Sequence, residues 1–169
     1  MGASPTTTLF LKECLADALI QLLADKPMDK ITIPEIAKLA GVGRTTYFRN
    51  FRSKEEMLSF KLILLWERWT DKLHAKKRSY SPDDALVFFR FNHSIRGLLT
   101  LMYSRDLQSA LYGAFNTYLT PRPEAEASER YASSFYSYGL FGLLDEWIAG
   151  GFRETPEQMA QITREIFPT

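Results

Sequence analysis

The segment ITIPEIAKLAGVGRTTYFRNFRSKEEML, at positions 31–58, decides the fold predicted for this chain. Thr32 and Glu35 form a capping box that begins a helix, and Gly41 supplies a tight turn after it. Gly43 then caps a second short helix, at 44–50. We expect the buried face of the first of these helices to consist of Ile36, Leu39 and Ala40. Two short helices joined by a glycine-containing turn, with a helix before them for support, predict a helix-turn-helix.

The rest of the chain shows helical spacing and helix-capping signals, and no stretch alternates apolar and polar residues as a strand does. We therefore predict an all-α protein of about nine helices. A supporting helix 1 ends at Asp25 and buries Leu11, Leu15, Leu19 and Leu22. Helix 4 is expected from Ser53, helix 5 from Ser81–Asp84 to a corner at Asn92–Ser94, and helix 6 from there to Tyr103. Helices 7, 8 and 9 are expected at 104–118, at 124–149 and from Thr155. The expected division is a DNA-binding domain at 1–54 and a regulatory and dimerisation domain at 55–169.

Composition excludes several classes of protein. The 169 residues contain one cysteine, Cys14, so no internal disulfide is expected. The longest apolar runs, at 62–66 and 85–89, are too short to span a bilayer, and the N-terminus does not resemble a signal peptide. These features predict a soluble cytoplasmic protein without a membrane partner.

An enzyme is not expected. The chain has two histidines, no glycine-rich phosphate loop and no metal-ligand spacing. The carboxylate pairs Asp83–Asp84 and Asp145–Glu146 lie at helix starts or on helix faces, where acidic residues are common. We therefore predict no catalytic residue, no metal and no cofactor.

Positive charge is concentrated near the N-terminus. The net charge of the chain is +1, but residues 1–54 hold eight Lys/Arg against five Asp/Glu, and 44–54 contain no acid. A charge cluster by itself is more often a solvated face. The helix-turn-helix pattern around this cluster favours nucleic acid instead, because such a helix must neutralise phosphates on either side of a groove.

The second short helix has the composition of a DNA recognition helix. Arg44 can present a bidentate fork to guanine, and Thr45 and Thr46 offer hydroxyl and methyl groups. Lys54 lies at a helix start, where backbone N–H groups favour phosphate. Phe51 and Leu58 are expected to pack inward. The residues that we expect to contact DNA are Thr32, Gly43, Arg44, Thr45, Thr46, Tyr47, Arg49, Asn50 and Lys54.

Residues 31–58 resemble the DNA-binding segment of the tetracycline-repressor (TetR) family. The matching residues are Thr32, Ile36, Ala37, Ala40, Gly41, Val42, Phe51, Ser53, Lys54, Glu55 and Leu58. Three positions depart from the family pattern: Gly43 replaces a serine cap, Phe48 replaces a tyrosine, and Asn50 replaces histidine or tyrosine. The tail YGLFGLLDEWIAGGFRETPEQMAQI, at 138–162, is also similar to the last two helices of such regulators.

The resemblance implies a homodimer that pairs helices 8 and 9 of two subunits. The spacing of helix 8 agrees, because small glycines lie between its larger residues. The expected dimer residues are Tyr138, Gly142, Leu143 and Trp147. An internal core helix is the alternative interpretation of the same pattern.

The resemblance also implies an effector pocket, although rings at helical spacing more often form a core. The pocket candidates are Trp66, Trp69, Phe89, His93, Tyr103, Tyr112, Phe115 and Phe135. His93 has an alternative interpretation as a helix-corner residue bonded to backbone. An effector bound between helices 4 and 8 would tilt helix 4 and change the spacing of the recognition helices.

The resulting prediction is a TetR-type regulator, a ligand-responsive repressor that binds a near-palindromic double-stranded DNA operator as a dimer. The alternative is a helix-turn-helix regulator, repressor or activator, that a protein partner controls and that has no small-molecule pocket. The effector, whether small molecule or protein, is not identified by the sequence.

Overall fold

The computed structural model describes residues 5–72, 85–119 and 126–167. Its helices are α1 (Pro5–Asp25), α2 (Ile33–Leu39), α3 (Arg44–Asn50), α4 (Lys54–Lys72), α5 (Ala85–Ser94), α6 (Arg96–Ser104), α7 (Gln108–Leu119), α8 (Ala127–Ala149) and α9 (Pro156–Ile166), with a 3-10 turn at Met28–Lys30. These ranges contain nine helices and no strand, so the predicted all-α fold is confirmed. The predicted helix start at Ser81–Asp84 lies outside the described residues.

The N-terminal head is the group of helices α1, α2 and α3. Leu15, Leu19 and Leu23 of α1 are fully buried, because residues four apart lie on one helix face. Leu11 and Leu22, which we predicted as part of this stripe, are only half-buried. Helix α1 packs against α2, α3 and α4, so it forms the centre of the head.

Local signals set the bounds of α2 and α3. The Thr32 hydroxyl accepts from the Glu35 backbone N–H, and the Glu35 carboxylate accepts from the Thr32 N–H at 2.9 Å, which confirms the predicted capping box. Gly41 has a φ of +67°, a conformation that favours glycine, so the tight turn is confirmed. Gly43 is the N-cap of α3 and makes no side-chain cap bond.

The predicted buried face of α2 is wrong by about one position. Leu39 is 45% exposed, whereas Ala37, which we did not include, is 2% exposed beside the fully buried Ile36. Ala40 is half-buried. A helix of seven residues offers too few turns for periodicity to fix its rotation, and packing against α1 decides it instead.

Three predicted boundaries in the second half of the chain shift. Helix α5 continues through Asn92 to Ser94, and the corner lies at Ile95. Helix α7 begins at Gln108 instead of Ser104, because Asp106 has a φ of +56° and interrupts the helical backbone. The described part of α8 begins at Ala127. The capping box of Thr155 and Gln158 is confirmed at the start of α9.

The C-terminal core is built from aromatic rings between α4, α5 and α7. Trp66 lies edge-to-face with Phe91 at 4.6 Å and with Phe88 at 5.6 Å between ring centroids. Helix α4 packs against both α1 and α7, and α5 packs against α9. Helix α4 therefore connects the head to the rest of the chain. The division at residue 54 remains a prediction.

An ion cluster joins α1 to α4. The Arg68 guanidinium donates to both carboxylate oxygens of Glu13, at 2.5 and 2.7 Å. The Lys61 ammonium lies 2.8 Å from Glu13 and 2.7 Å from Asp17. The hydrogen bond from Arg68 most strongly, helped by Lys61, lowers the pKa of Glu13 from 4.5 to about 2. The cluster thus stabilises the contact between the head and α4.

Because the pKa of Glu13 is lowered, the stability of the fold depends on pH in the acid range. Because the folded pKa lies below the ordinary value of 4.5, this contribution is present above pH 4.5 and is lost as pH falls towards about 2. We expect Glu13→Gln to melt at a lower temperature than wild type at pH 7, with the two melting temperatures converging near pH 2. Thermal melts between pH 2 and 7 measure this.

The control is Asp29→Asn, which removes a side chain that is 69% exposed and pairs with Lys30 at 3.6 Å. Exposed pairs contribute little, so this variant should follow wild type at every pH. A constant difference between wild type and Glu13→Gln down to pH 2 would contradict the assignment.

Candidate nucleic-acid interface

The exposed face of α3 carries four side chains, and three of them were predicted to contact DNA. Arg44, Thr45, Phe48 and Arg49 are exposed, and at about 100° per residue they lie on one side of the helix. Among the described residues, none of Arg44, Arg49 and Arg52 forms an ion pair with a carboxylate. The head therefore presents a recognition-helix surface with guanidinium groups that are free to meet phosphates or bases.

Tyr47 does not lie on this surface. Its side chain is 5% exposed, and its ring packs 6.3 Å from that of Phe51. Burial raises the pKa of its hydroxyl. The predicted DNA contact by Tyr47 is wrong, because its position on the helix turns it towards α1. Phe51 and Leu58 are buried as predicted.

Several other predicted contacts are engaged within the chain. The half-buried Asn50 donates its amide N–H to the Thr46 carbonyl oxygen at 2.7 Å. Thr46 is itself half-buried, and Thr32 uses its hydroxyl in the capping box with Glu35. Gly43 is exposed. Contacts of these four residues with DNA remain predictions.

Lys54 has a structural role that the sequence did not indicate. Its ammonium donates to the backbone carbonyl oxygens of Met28 and Ile31, the second at 2.9 Å. The side chain therefore joins the start of α4 to the segment before α2. In the protein without DNA these two carbonyls hold the Lys54 ammonium, and its contact with phosphate remains a prediction.

We expect Lys54→Met, which keeps the apolar stem and removes the charge, to destabilise the fold by about 1–3 kcal/mol. Two carbonyls lose their charged donor, and for a chain of this size each kcal/mol corresponds to about 2–4 °C in melting temperature. Thermal melts measure the structural role of Lys54, and the salt dependence of DNA binding measures its contact with phosphate. Lys30→Met is the control, because Lys30 is 72% exposed. An unchanged melting temperature with a salt slope reduced by about one for each protomer would instead support a phosphate contact.

A cavity of about 40 Å³ lies between α4, α5, α7 and α8. Trp66 and Phe115 line it, as predicted for pocket residues. The cavity is also lined by Leu62, Ile63, Phe88, Phe91, Asn92, Ile95, Leu111, Ala114 and Leu144. Six of these nine are aliphatic residues, which the spacing of aromatic rings does not indicate. Asn92 is the buried polar residue among them, and its amide is a group that could orient a ligand. This space is far smaller than the roughly 300–1,000 Å³ of pockets that bind drug-sized ligands.

Three other pocket or dimer candidates form a separate aromatic cluster. Phe89 lies edge-to-face with Trp147 at 5.4 Å, and His93 stacks on Trp147 at 5.9 Å. The Trp147 indole N–H donates to the Glu154 carbonyl oxygen at 3.1 Å, and its side chain is 2% exposed. Trp147 is therefore an internal residue, and its prediction as a dimer contact is wrong. Phe89 and His93 are likewise absent from the lining of the cavity.

The remaining pocket candidates also lie elsewhere. Tyr103 donates its hydroxyl to Asp145, and burial together with this bond raises its pKa. Trp69 packs against Phe91 without lining the cavity. Tyr112 is exposed, and Phe135 is 65% exposed. None of these four residues lines the cavity, because each faces a different neighbour or the surface, and their part in an effector pocket remains a prediction.

Helix α8 carries an exposed stripe that we call the α8 face, and it includes two predicted dimer residues. Its members recur every three or four positions, as one helix face requires. They are Tyr131, Phe135, Tyr138, Gly142, Glu146 and Ala149. Leu143, also predicted, is half-buried beside it. The Tyr138 and Tyr112 hydroxyls lie 3.3 Å apart, and this links the α8 face to α7.

The comparisons with known proteins agree with this architecture. Residues 15–59 match the sequence profile described as "Bacterial regulatory proteins, tetR family", and residues 87–168 match the one described as "Transcriptional regulator C-terminal region". With the head and the C-terminal region both matched, this chain belongs to the TetR family of transcriptional regulators. Proteins of this family are regulatory DNA-binding proteins that typically dimerise.

Two solved structures are similar to this chain. A TetR transcriptional regulator from Rhodococcus sp. RHA1 has 18% sequence identity and a TM-score of 0.51, with 90% of this chain and 91% of that chain covered. A protein described as a tetR family transcription regulator from Shewanella sp. PV-4 has 23% identity and a TM-score of 0.36, with 89% and 78% covered. The first of these supports the fold. No curated protein sequence matches this chain.

Two features are absent from the residues that the structure describes. No described helix is both long and apolar enough to cross a membrane. In the same part of the chain, no group of three or more His, Cys, Asp or Glu side chains is placed to hold a metal ion.

Proposed function

We propose that this chain is a cytoplasmic repressor that binds a near-palindromic operator as a homodimer, with α3 of each protomer in the major groove. The observation that carries the proposal is the exposed α3 face, on which Arg44 and Arg49 stand free of carboxylate partners. Arg44 supplies base recognition near the N-terminal end of α3, the end that enters the groove in such motifs. Arg49 and Arg52 neutralise phosphate.

The α8 face is the proposed dimer surface, completed by α9. On the α8 face, Phe135 is 65% exposed and Tyr138 is 51% exposed. On α9, Ile166 is 52% exposed. Contiguous apolar side chains of this kind commonly mark association sites. A two-fold dimer places two copies of α3 on two half-sites about 34–36 Å apart, or a multiple of that distance, so the operator is near-palindromic.

A small-molecule effector is proposed to act through the cavity beside α4. Its walls are apolar apart from Asn92, and α4 contributes Leu62, Ile63 and Trp66. The cavity must enlarge to accept a ligand, and α4 is one of its walls, so binding moves the helix that packs on α1. To lower the DNA-competent fraction of the protein from 99% to 1%, the effector must bind the form that does not bind DNA more tightly by ~5.5 kcal/mol.

Selection of bound duplexes from a random pool, with the full chain, tests the DNA-binding proposal. We expect an inverted repeat to be enriched and then to bind more tightly than a scrambled duplex by at least about 10³-fold. Binding that is equally tight for scrambled DNA would overturn the operator proposal.

The ligand-responsive part needs a separate measurement. Compounds that raise the melting temperature of the chain are added to the complex with the selected duplex. We expect at least one of them to release the DNA. If operator affinity is the same with every compound that binds, control by a small molecule is wrong.

A further inference from the structure

Phe48 is a large apolar side chain placed where polar residues would be expected. It is 71% exposed on α3, next to the free guanidinium groups of the recognition surface. Its ring lies edge-to-face with that of Tyr47, at 5.2 Å between centroids. Because Tyr47 is buried, Phe48 is supported from behind while its outer face meets solvent. A single exposed ring needs no explanation by itself, but this one lies between the guanidinium groups of the recognition surface.

The position of Phe48 on α3 decides what that contact is. At about 100° per residue, Phe48 and Thr45 lie at the centre of the exposed face, and Arg44 and Arg49 lie on its two sides. When a helix lies in the major groove, the centre of its exposed face meets the base edges and its sides approach the phosphates. Phe48 is therefore directed at the floor of the groove.

The floor of the major groove offers one apolar group to such a ring. A·T pairs present the thymine C5-methyl there, whereas G·C pairs present hydrogen-bonding groups without a methyl. A ring pressed on a G·C pair would leave polar groups desolvated and unpaired. We propose that Phe48 is a specificity-determining residue that reads a thymine methyl in each half-site. The inference rests on the DNA-binding function proposed above and names one feature of its operator.

The surroundings of Phe48 favour DNA over an apolar protein surface. The side chains that flank it, Arg44 and Arg49, are exposed cations, and an apolar partner would have to desolvate both. A polyanion pairs with them instead. A phosphate contact by Phe48 itself is excluded by its chemistry, because a phenyl ring has no hydrogen-bond donor.

Thymine-to-deoxyuridine scanning of the selected duplex tests the inference, since deoxyuridine pairs as thymidine does but lacks the methyl. Each thymine is replaced in turn, together with its symmetry mate, and binding is measured for wild type, Phe48→Ala and Arg49→Ala. Loss of one buried methyl contact in each half-site corresponds to about fourfold per half-site, or about 15-fold for the symmetric pair. We expect wild type to show this loss at one thymine position.

Comparison of the two variants with wild type shows which residue causes the loss of affinity on deoxyuridine substitution. Phe48→Ala should bind the unmodified duplex more weakly and lose its sensitivity to deoxyuridine at that position. Arg49→Ala should weaken binding to every duplex and keep the sensitivity. Circular dichroism checks that both variants fold, which the exposure of both side chains favours.

Two outcomes overturn the inference while leaving the proposed function intact. One is an operator with no thymine at which deoxyuridine weakens wild type. The other is a sensitivity that Phe48→Ala retains in full. Failure of the chain to select any duplex is a different result, because it removes the DNA-binding function itself and the inference with it.

Discussion

Arg44→Ala is expected to weaken binding to the operator by about 2–6 kcal/mol, or about 30-fold to 2 × 10⁴-fold. A bidentate arginine–guanine pair contributes about 1–3 kcal/mol of discrimination, and a dimer on a near-palindrome makes two such pairs. The two sites are far apart, so their contributions should add. Arg44 is exposed and pairs with no carboxylate among the described residues, so its loss should leave the fold intact.

Specificity is the second measurement for Arg44. Binding of wild type and Arg44→Ala is compared on duplexes that carry each of the four base pairs at every half-site position. The variant should lose its preference at one position and keep it at the others. Its binding to scrambled DNA should fall much less, because that binding depends on total charge.

Arg96→Ala is the matched control for Arg44→Ala. It removes the same charge from an exposed arginine at the start of α6, outside the head and outside the proposed dimer surface. Operator affinity and base preference should match wild type. If the two variants lowered affinity equally at every base pair, Arg44 would act only through charge, and its assignment to base recognition would be wrong.

Gly142→Arg is expected to prevent dimerisation and thereby abolish tight operator binding. A Cβ at Gly142 meets no neighbouring heavy atom within 4 Å, and the backbone there has no positive φ. Arginine is also a better helix former than glycine, so the protomer should fold. In a two-fold interface the bulky side chain replaces a small residue and its charge is desolvated, with Glu146, four residues on, as the nearby carboxylate of the α8 face. We expect this to cost about 3 kcal/mol and to weaken the dimer by about 100-fold.

The chain offers a matched control for this variant. Gly97 on α6 is exposed, has nothing within 4 Å of its Cβ position and has no positive φ. Gly97→Arg therefore makes the same chemical change outside the α8 face. Analytical ultracentrifugation should show dimers for wild type and Gly97→Arg, and monomers for Gly142→Arg. A dimeric Gly142→Arg with normal operator affinity would place the interface elsewhere.

The recognition surface was only partly predictable from sequence. Arg44 and Arg49 lie on the exposed face of α3 as expected. Tyr47 and Lys54, which have equally suitable chemistry, are held inside the chain by Phe51 and by the carbonyl oxygens of Met28 and Ile31. Those partners lie in other segments, or on the buried side of α3, and residue type does not reveal them.

The sequence alone determined the order and the ends of most helices, including the glycine turn at Gly41 and the capping boxes of Thr32 and Thr155. These features depend on hydrogen bonds and backbone preferences among residues a few positions apart, so neighbouring residues are sufficient to specify them. Tertiary structure decided which residues line the cavity. Phe89, Phe115 and Trp147 have similar apolar chemistry, yet only Phe115 lines it. The physical reason is that many rings bury equally well, and contacts between distant helices select which neighbour each ring meets.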